Sequence, residues 1–287
     1  MLAVFLAAAV SGGDARSVRG GCSWTRHATE NRVSITGGTV HLVTGGESAG
    51  GDAARNTVTF TGGRARFATG GESKDGDATQ NTVTISGGKI GHTIHGGHSG
   101  DYFASEEYRT MSLKKTVTLV TGKYRGDATD NTVTLTGDAD LTNTTVLTGG
   151  FTGSSGEARK GNTLHIDHWT GTTRAHIANF ENYRFTLPAN LADGQSILTT
   201  GNSVDLGDAA NVRLDFAAPP AALREDFSIR LISVSTDGAK DAMTGTLANT
   251  RVTATVGTLS YTFDLALQEP VKAGYKHLAA TLRKVVG

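Results

Sequence analysis

The sequence predicts an all-β protein, folded as a right-handed single-stranded parallel β-helix with coils of about 25 residues. Paired glycines return every 25 residues, beginning at Gly12, Gly37, Gly62 and Gly87. A strand-like segment recurs at the same interval, with no helical pattern between copies. The 38 glycines against only 4 prolines among 287 residues indicate many tight turns. A unit this short buries its apolar face only against its neighbours, which makes the repeat typical of a solenoid.

A second glycine pair follows eight or nine residues after each first pair. These second pairs begin at Gly20, Gly45, Gly70 and Gly96. Because glycine reaches backbone conformations closed to other residues, both kinds of pair predict turns. At about 3.3 Å per residue, one repeat is long enough for a three-sided coil broken by those turns.

The strand segment reads Asn, Thr, Val, Thr and then a large apolar residue. It is clearest in Asn56–Phe60, Asn81–Ile85 and Asn131–Leu135. Alternation along a strand sends the valine and the large apolar residue to one face and the threonines to the other. We therefore expect inward columns of valines on parallel strands about 4.8 Å apart, joined by crossovers that are right-handed in about 98% of known cases.

The asparagine that opens each strand is predicted to form a structural ladder, because identical amides stacked above one another bond amide to amide. Its predicted members are Asn31, Asn56, Asn81, Asn131 and Asn162. The preceding Gly-Asp-Ala predicts a turn. Its aspartates, Asp52, Asp77 and Asp127, occupy one repeat position. A residue needed in every coil is predicted to be structural rather than catalytic or calcium-binding.

The repeat is interrupted at about residues 98–115. The step from Asn81 to Asn131 still spans two periods, so this stretch is interpreted as a coil whose loop bulges outward. We divide the chain into a repeat-bearing β-helix over residues 1–170 and a C-terminal β-helix continuation and cap over residues 171–287.

Composition argues against several classes of protein. Lys plus Arg (27) equals Asp plus Glu (27), so no charge excess draws the chain to nucleic acid, and no nucleic-acid partner is predicted. The single Cys22 rules out an internal disulfide and paired-cysteine metal sites. The sequence contains no run of about 18 apolar residues, so it predicts no transmembrane helix. The apolar segment Leu2–Val10 is similar to a signal-peptide core but lacks a preceding Lys or Arg, and the repeat already running at Val10 favours a chain that begins inside a longer array.

Two histidine groups are the candidate metal ligands. The first comprises His92, His95 and His98, and the second comprises His165, Asp167 and His168. On strands, this spacing places alternate residues on opposite faces. Neither group therefore predicts a zinc site, and no cofactor is expected.

Two alternative functions stay open. A polysaccharide lyase or hydrolase needs converging carboxylates. The unusual acidic group of this sequence comprises Asp101, Glu106 and Glu107. A solvated loop is the favoured interpretation of this group, and no catalytic residue is nominated. An ice-binding β-helix would use a flat Thr-x-Thr array. The outward threonines that suggest it are Thr57, Thr59, Thr82, Thr84, Thr132 and Thr134.

The repeats resemble the passenger domains of autotransporters, the type V secretion proteins of Gram-negative bacteria. The resemblance rests on the paired glycines, the Gly-Asp-Ala turns and the Asn-Thr-Val-Thr-Ile-Ser-Gly-Gly pattern, clearest from Gly70 to Gly88. Later segments are similar to the stretch just upstream of that family's translocating barrel. They are Asn179–Pro188, Gly201–Ala209, Asp226–Ile232 and Tyr261–Leu265.

The resemblance implies a passenger at the cell surface of the outer membrane, or secreted, which is not an enzyme and serves as a stalk or adhesin-like display surface. It also implies a covalent link to an outer-membrane barrel in the full-length protein. A host-cell, matrix or glycan surface is the expected partner. Aromatic residues on loops favour interfaces, so the interruption is the candidate contact. Its nominated residues are Tyr102, Phe103, Glu106, Glu107, Tyr108 and Tyr124.

Overall fold

The described residues fold entirely as β-structure and connecting segments. The computed structural model describes residues 7–100, 126–153, 156–218, 220, 223–224, 226–235, 242–268 and 274–287. Within these ranges there are 21 strands, and no helix is long and apolar enough to cross a membrane. The predicted all-β class and the predicted large parallel sheet are both confirmed.

The strands are numbered in chain order. The first eleven are β1 (Ala7–Ser23), β2 (Ala28–Thr29), β3 (Arg32–Ser48), β4 (Ala53–Ala54), β5 (Thr57–Ser73), β6 (Ala78–Thr79), β7 (Thr82–Ser99), β8 (Thr132–Thr136), β9 (Val146–Thr152), β10 (Thr163–Asp167) and β11 (Gly171–Thr173). The remaining ten are β12 (His176–Ala178), β13 (Asn182–Leu187), β14 (Ser196–Thr200), β15 (Val204–Asp205), β16 (Asn211–Phe216), β17 (Ser228–Ser235), β18 (Met243–Thr244), β19 (Arg251–Val256), β20 (Leu259–Gln268) and β21 (Tyr275–Val286).

Equivalent residues of successive repeats lie beside one another in the main sheet. This sheet has 12 strands and curls into a half-barrel. Val33 pairs with Val58, and Val58 pairs with Val83, all on parallel strands. The three valines are at most 2% exposed, whereas the threonines that flank them along β5 and β7 are partly exposed. The sequence alternation therefore separates a buried face from an outer face along these strands.

The glycine pairs do not end the strands, contrary to the expectation of two turns in each repeat. Gly37 and Gly38 lie inside β3, where Gly38 adopts a left-handed φ of 77°. Gly45 and Gly46 also lie inside β3. A Cβ on Gly46 would approach Oδ1 of Asn56 to 2.4 Å, so glycine is required there by packing rather than by a turn.

The residue before each ladder asparagine has a left-handed backbone. The φ angles are 61° at Glu30, 56° at Arg55, 56° at Gln80 and 58° at Asp130. This conformation costs a non-glycine residue about 1–2 kcal/mol. It turns the chain between the short and the long strands, so packing elsewhere must offset the cost in each repeat.

The C-terminal sheet changes from parallel to antiparallel pairing. It has six strands in the order β11-β14-β17-β21-β20-β19. The first three pair parallel, whereas β21 runs antiparallel to β17 and β20. Its buried side chains include Tyr261 and Phe263, whose ring centroids lie 5.4–6.1 Å from that of the buried Phe216 on β16.

Candidate functional site

The five ladder asparagines form one continuous chain of amide hydrogen bonds. Nδ2 of each residue donates to Oδ1 of the next, from Asn31 to Asn162. The four nitrogen–oxygen distances lie between 2.8 and 3.2 Å. Each asparagine is at most 2% exposed. The ladder is thus part of the interior and is not offered to a ligand.

Each ladder amide also satisfies backbone groups. Nδ2 of Asn81 donates to the carbonyl of Ala53 at 2.9 Å, and its Oδ1 accepts from the backbone N–H of Asn56 at 3.0 Å. Because buried polar groups are costly without partners, these amides stabilise the turns as well as one another. The amide also needs space, since a Cβ on Gly71 would lie 2.5 Å from Oδ1 of Asn81.

The repeated aspartates act as acceptors between neighbouring turns. Oδ1 of Asp52 accepts from the backbone N–H of Asp77 at 3.0 Å, and Oδ1 of Asp77 accepts from that of Asp127 at 2.8 Å. Asp127 in turn accepts from the backbone N–H of Glu157 at 2.8 Å. These bonds give the aspartates the structural task that repetition alone suggests.

The first histidine group is partly gathered around one aromatic ring. The ring centroid of Phe151 lies 5.5 Å from that of His95 and 5.1 Å from that of His98. The alternation of a strand predicts that His95 and His98 lie on opposite faces, but their ring centroids are only 5.8 Å apart. Burial, with the neighbouring histidines, lowers the pKa of His95 to about 3, and burial lowers that of His98 to about 4. Both rings are therefore neutral at pH 7.

A titratable column crosses the strands beside these rings. Glu47, Glu72 and His98 occupy successive register positions on β3, β5 and β7. Glu47 forms an ion pair with Arg19. Burial, then repulsion from Glu47, raises the pKa of Glu72 to about 7. This side chain therefore exchanges its proton near neutral pH.

The column predicts a stability maximum slightly below neutral pH. A carboxyl with a raised pKa favours folding at low pH, and this contribution is lost as pH rises from 4.5 to about 7. The lowered pKa values of His95 and His98 act in the opposite sense, since their contribution is lost as pH falls below 6.5. We expect Glu72→Gln to remove the loss that builds up between pH 4.5 and about 7, and so to be more stable than the wild type by about 2 kcal/mol at pH 8, in urea unfolding followed by circular dichroism.

Glu30→Gln is the control for this prediction, because Glu30 is an exposed partner of Arg55. It should change stability by less than about 1 kcal/mol and leave the pH profile unaltered. If the stability of Glu72→Gln falls with rising pH as that of the wild type does, another group causes the loss.

A groove lined by polar residues together with Tyr183 and Val212, called the polar groove, occupies the outer face of β8, β10, β13 and β16. Its volume is about 640 Å³. One register column crosses these strands through Thr132, Thr163, Asn182 and Asn211. A second comprises Thr134, His165, Arg184 and Arg213, and a third comprises Thr136, Asp167, Thr186 and Asp215. Asn249, which bonds the backbone of Val212, also lines the groove. The threonines of the repeats thus give way to amides and charged side chains.

Charges beside the groove are paired. Nε of Arg184 donates to Oδ2 of Asp215 at 2.8 Å, and Arg213 contacts Oδ1 of the same carboxylate at 3.2 Å. Burial alone would raise the pKa of Asp215, but the hydrogen bonds from both guanidinium groups lower it. Asp215 therefore stays ionised and is a poor proton donor at neutral pH.

One member of the second histidine group, His165, lines this groove, and the group does not converge. Nε2 of His165 is 2.9 Å from Oγ1 of Thr186, and Nδ1 of His168 is 2.8 Å from Oδ1 of Asp167. In the part of the chain that the structure describes, no three His, Cys, Asp or Glu side chains gather as metal ligands would. Burial lowers the pKa of His165, with a further contribution from Arg184.

The nominated contact residues of the interruption lie outside the described residues. They are Tyr102, Phe103, Glu106, Glu107, Tyr108 and Tyr124, and they stay a prediction. Asp101 lies outside the described ranges as well. The groove has no signal in the sequence pattern, because β10, β13 and β16 are not spaced by 25 residues and their equivalent positions emerge only from the strand register.

No family model and no curated protein matches the sequence. The function proposed below therefore rests on the residues themselves and on the resemblance of the repeats.

Proposed function

We propose that this chain is a non-catalytic, passenger-like scaffold at the surface of a Gram-negative bacterium or secreted from it, acting as a stalk or adhesin-like display surface. We further propose a right-handed parallel β-helix with coils of about 25 residues, residues 1–170 carrying the repeats and residues 171–287 forming its continuation and cap. The observation that supports this is the in-register asparagine ladder, in which residues 25 apart bond amide to amide.

The recurring polar residues support a scaffold because they are used in building it. The asparagines bond one another, and the aspartates accept backbone N–H groups of the next turn. Each additional coil forms the same hydrogen bonds to its neighbour, so an array of this kind can be lengthened by adding repeats. Right-handedness follows from the general preference of parallel crossovers.

The non-catalytic interpretation is supported by the carboxylates beside the described groove, none of which lines it. A glycoside hydrolase needs a carboxylic acid that donates a proton. Asp215 is held ionised by Arg184 and Arg213. Asp167 lies beside His168 and two strands away from Asp215 in the register. This arrangement favours structural ion pairs over an acid–base pair.

Ice binding is the second candidate, and in-register threonines favour it. Thr57, Thr82, Thr132 and Thr163 form one continuous column. The neighbouring column runs through Thr59, Thr84 and Thr134 and then meets His165. The flat hydroxyl array is therefore limited to a few strands.

Surface display tests the proposal. We expect the chain, fused upstream of an outer-membrane translocator barrel, to become accessible to added protease on intact cells and to increase attachment to cells, matrix or glycans. The barrel displayed alone is the control. Display without any gain in attachment would refute the adhesin-like role, and retention inside the cell would refute the passenger role. Release of reducing ends from a polysaccharide panel would refute the non-catalytic role, and thermal hysteresis of the purified chain would favour ice binding.

A further inference from the structure

The polar groove has the chemistry of a carbohydrate site. We propose that the groove on the outer face of β10, β13 and β16 binds a neutral polysaccharide, with Asn182, Asn211 and Arg184 as its principal hydrogen-bonding residues. This inference does not rest on the proposed surface location, since it concerns a soluble ligand and the purified chain.

The groove side chains match the hydroxyls of a sugar. A sugar hydroxyl both donates and accepts, and a primary amide offers two N–H donors and a carbonyl acceptor on a planar group. Asn182 and Asn211 are neighbours in the register, with Nδ2 of Asn211 3.4 Å from Oδ1 of Asn182. Arg184 donates from Nε to Asp215, and a guanidinium has four further N–H donors. The groove thus presents several fixed polar groups at its floor and rim.

The charge balance selects a neutral ligand over a polyanion. The two arginines of the groove, Arg184 and Arg213, share the carboxylate of Asp215, and Asp167 lies in the same column as Asp215. The two cationic side chains that line the groove are therefore offset by two anionic side chains beside it. A sulfated or carboxylated chain approaching the arginines would meet these carboxylates and gain little electrostatic attraction.

The geometry favours an extended ligand. The three columns cross β10, β13 and β16 in register, and adjacent strands lie about 4.8 Å apart. Equivalent polar groups therefore recur at a fixed interval across the strands. A linear polysaccharide lying across the strands would meet one such group on each strand, whereas a monosaccharide would span about one interval.

Affinity electrophoresis of the purified chain provides the test. One set of gels contains a neutral polysaccharide, which is dextran, xyloglucan or galactomannan. The other set contains a polyanion, which is heparin, polygalacturonate or DNA. We expect retardation by at least one neutral polysaccharide, insensitive to ionic strength. The double variant Asn182→Ala and Asn211→Ala should weaken that binding about tenfold or more, because it removes two amides that contact the ligand. Asn143→Ala, at an exposed asparagine outside the groove, is the matched control and should bind as the wild type does.

Circular dichroism verifies that the variants are folded. The variant Asn211→Asp keeps the size of the side chain and provides a second test. It should also weaken binding. Three outcomes would overturn the proposal: no retardation by any of the three neutral polysaccharides, retardation by the polyanions alone, or neutral-polysaccharide binding that is unchanged in the folded groove variants.

Discussion

Replacing Asn81 with leucine is expected to destabilise the folded protein by about 4 kcal/mol. Asn81 is fully buried, and its Oδ1 accepts from both the backbone N–H and Nδ2 of Asn56 at 3.0 Å. Leucine has a similar volume but no polar group, so the backbone N–H of Asn56 and one of the two N–H groups of its amide lose their acceptor, while the amide keeps its bond to the carbonyl of Ala28. Each buried donor without a partner costs about 1–3 kcal/mol. Urea unfolding followed by far-ultraviolet circular dichroism measures the loss.

Thr82→Ala is the control for Asn81→Leu. Thr82 is the next residue of the chain and points to the outer face, where it is only partly buried. We expect a change of less than about 1 kcal/mol, which is the range of strand propensity. Equal losses in the two variants would contradict a special role for the buried amide.

Gly62→Ala is expected to destabilise the folded protein by about 3 kcal/mol, the upper end of the usual cost of overpacking, because a clash with backbone is not relieved by a side-chain movement. A Cβ on Gly62 would lie 2.5 Å from the carbonyl oxygen of Thr36 on the neighbouring strand. The strands would have to separate locally to accept the methyl group. Thermal and urea unfolding both report this loss.

Gly12→Ala makes the same substitution at the same repeat position on the first strand of the sheet. A Cβ on Gly12 would have nothing within 4 Å, and its φ is not in the left-handed region. Alanine there restricts the unfolded chain, so a stabilisation of about 0.4–1 kcal/mol is expected. A large loss in Gly12→Ala would show that the glycine pair is required for its conformation rather than for the close approach of strands.

The inward residues of the repeats are predictable from the sequence because their alternation has a single physical cause. Val58 and Phe60 are apolar and two residues apart, so a strand buries both on one face. The all-β class and the parallel sheet follow from repeating that pattern at a fixed interval. The packing partners of the second glycine pair do not follow from it. That Gly46 lies against Asn56 depends on how the chain returns to the next strand, which pattern alone does not specify.

The groove was beyond prediction for a related reason, whereas the titratable column is implied by the repeat. Glu47, Glu72 and His98 each follow a second glycine pair, so the repeat aligns them, but the burial that shifts the pKa of Glu72 and of His98 follows only from packing. Asn182 and Asn211 belong to strands whose spacing differs from that of the repeats. Composition and motifs detect residues that recur, whereas these positions differ from their equivalents in the repeats.

The constant offset between paired strands also bears on how fast the sheet assembles. The pairs β3–β5 and β5–β7 join residues about 25 positions apart, so each closes a loop of nearly one length. Sheets built from distant pairings fold slowly, but here each new strand meets a partner that is near in sequence. The step from β7 to β8 spans 50 residues. Because closure entropy grows with the logarithm of loop length, this doubling adds only about 0.6 kcal/mol to the closing step.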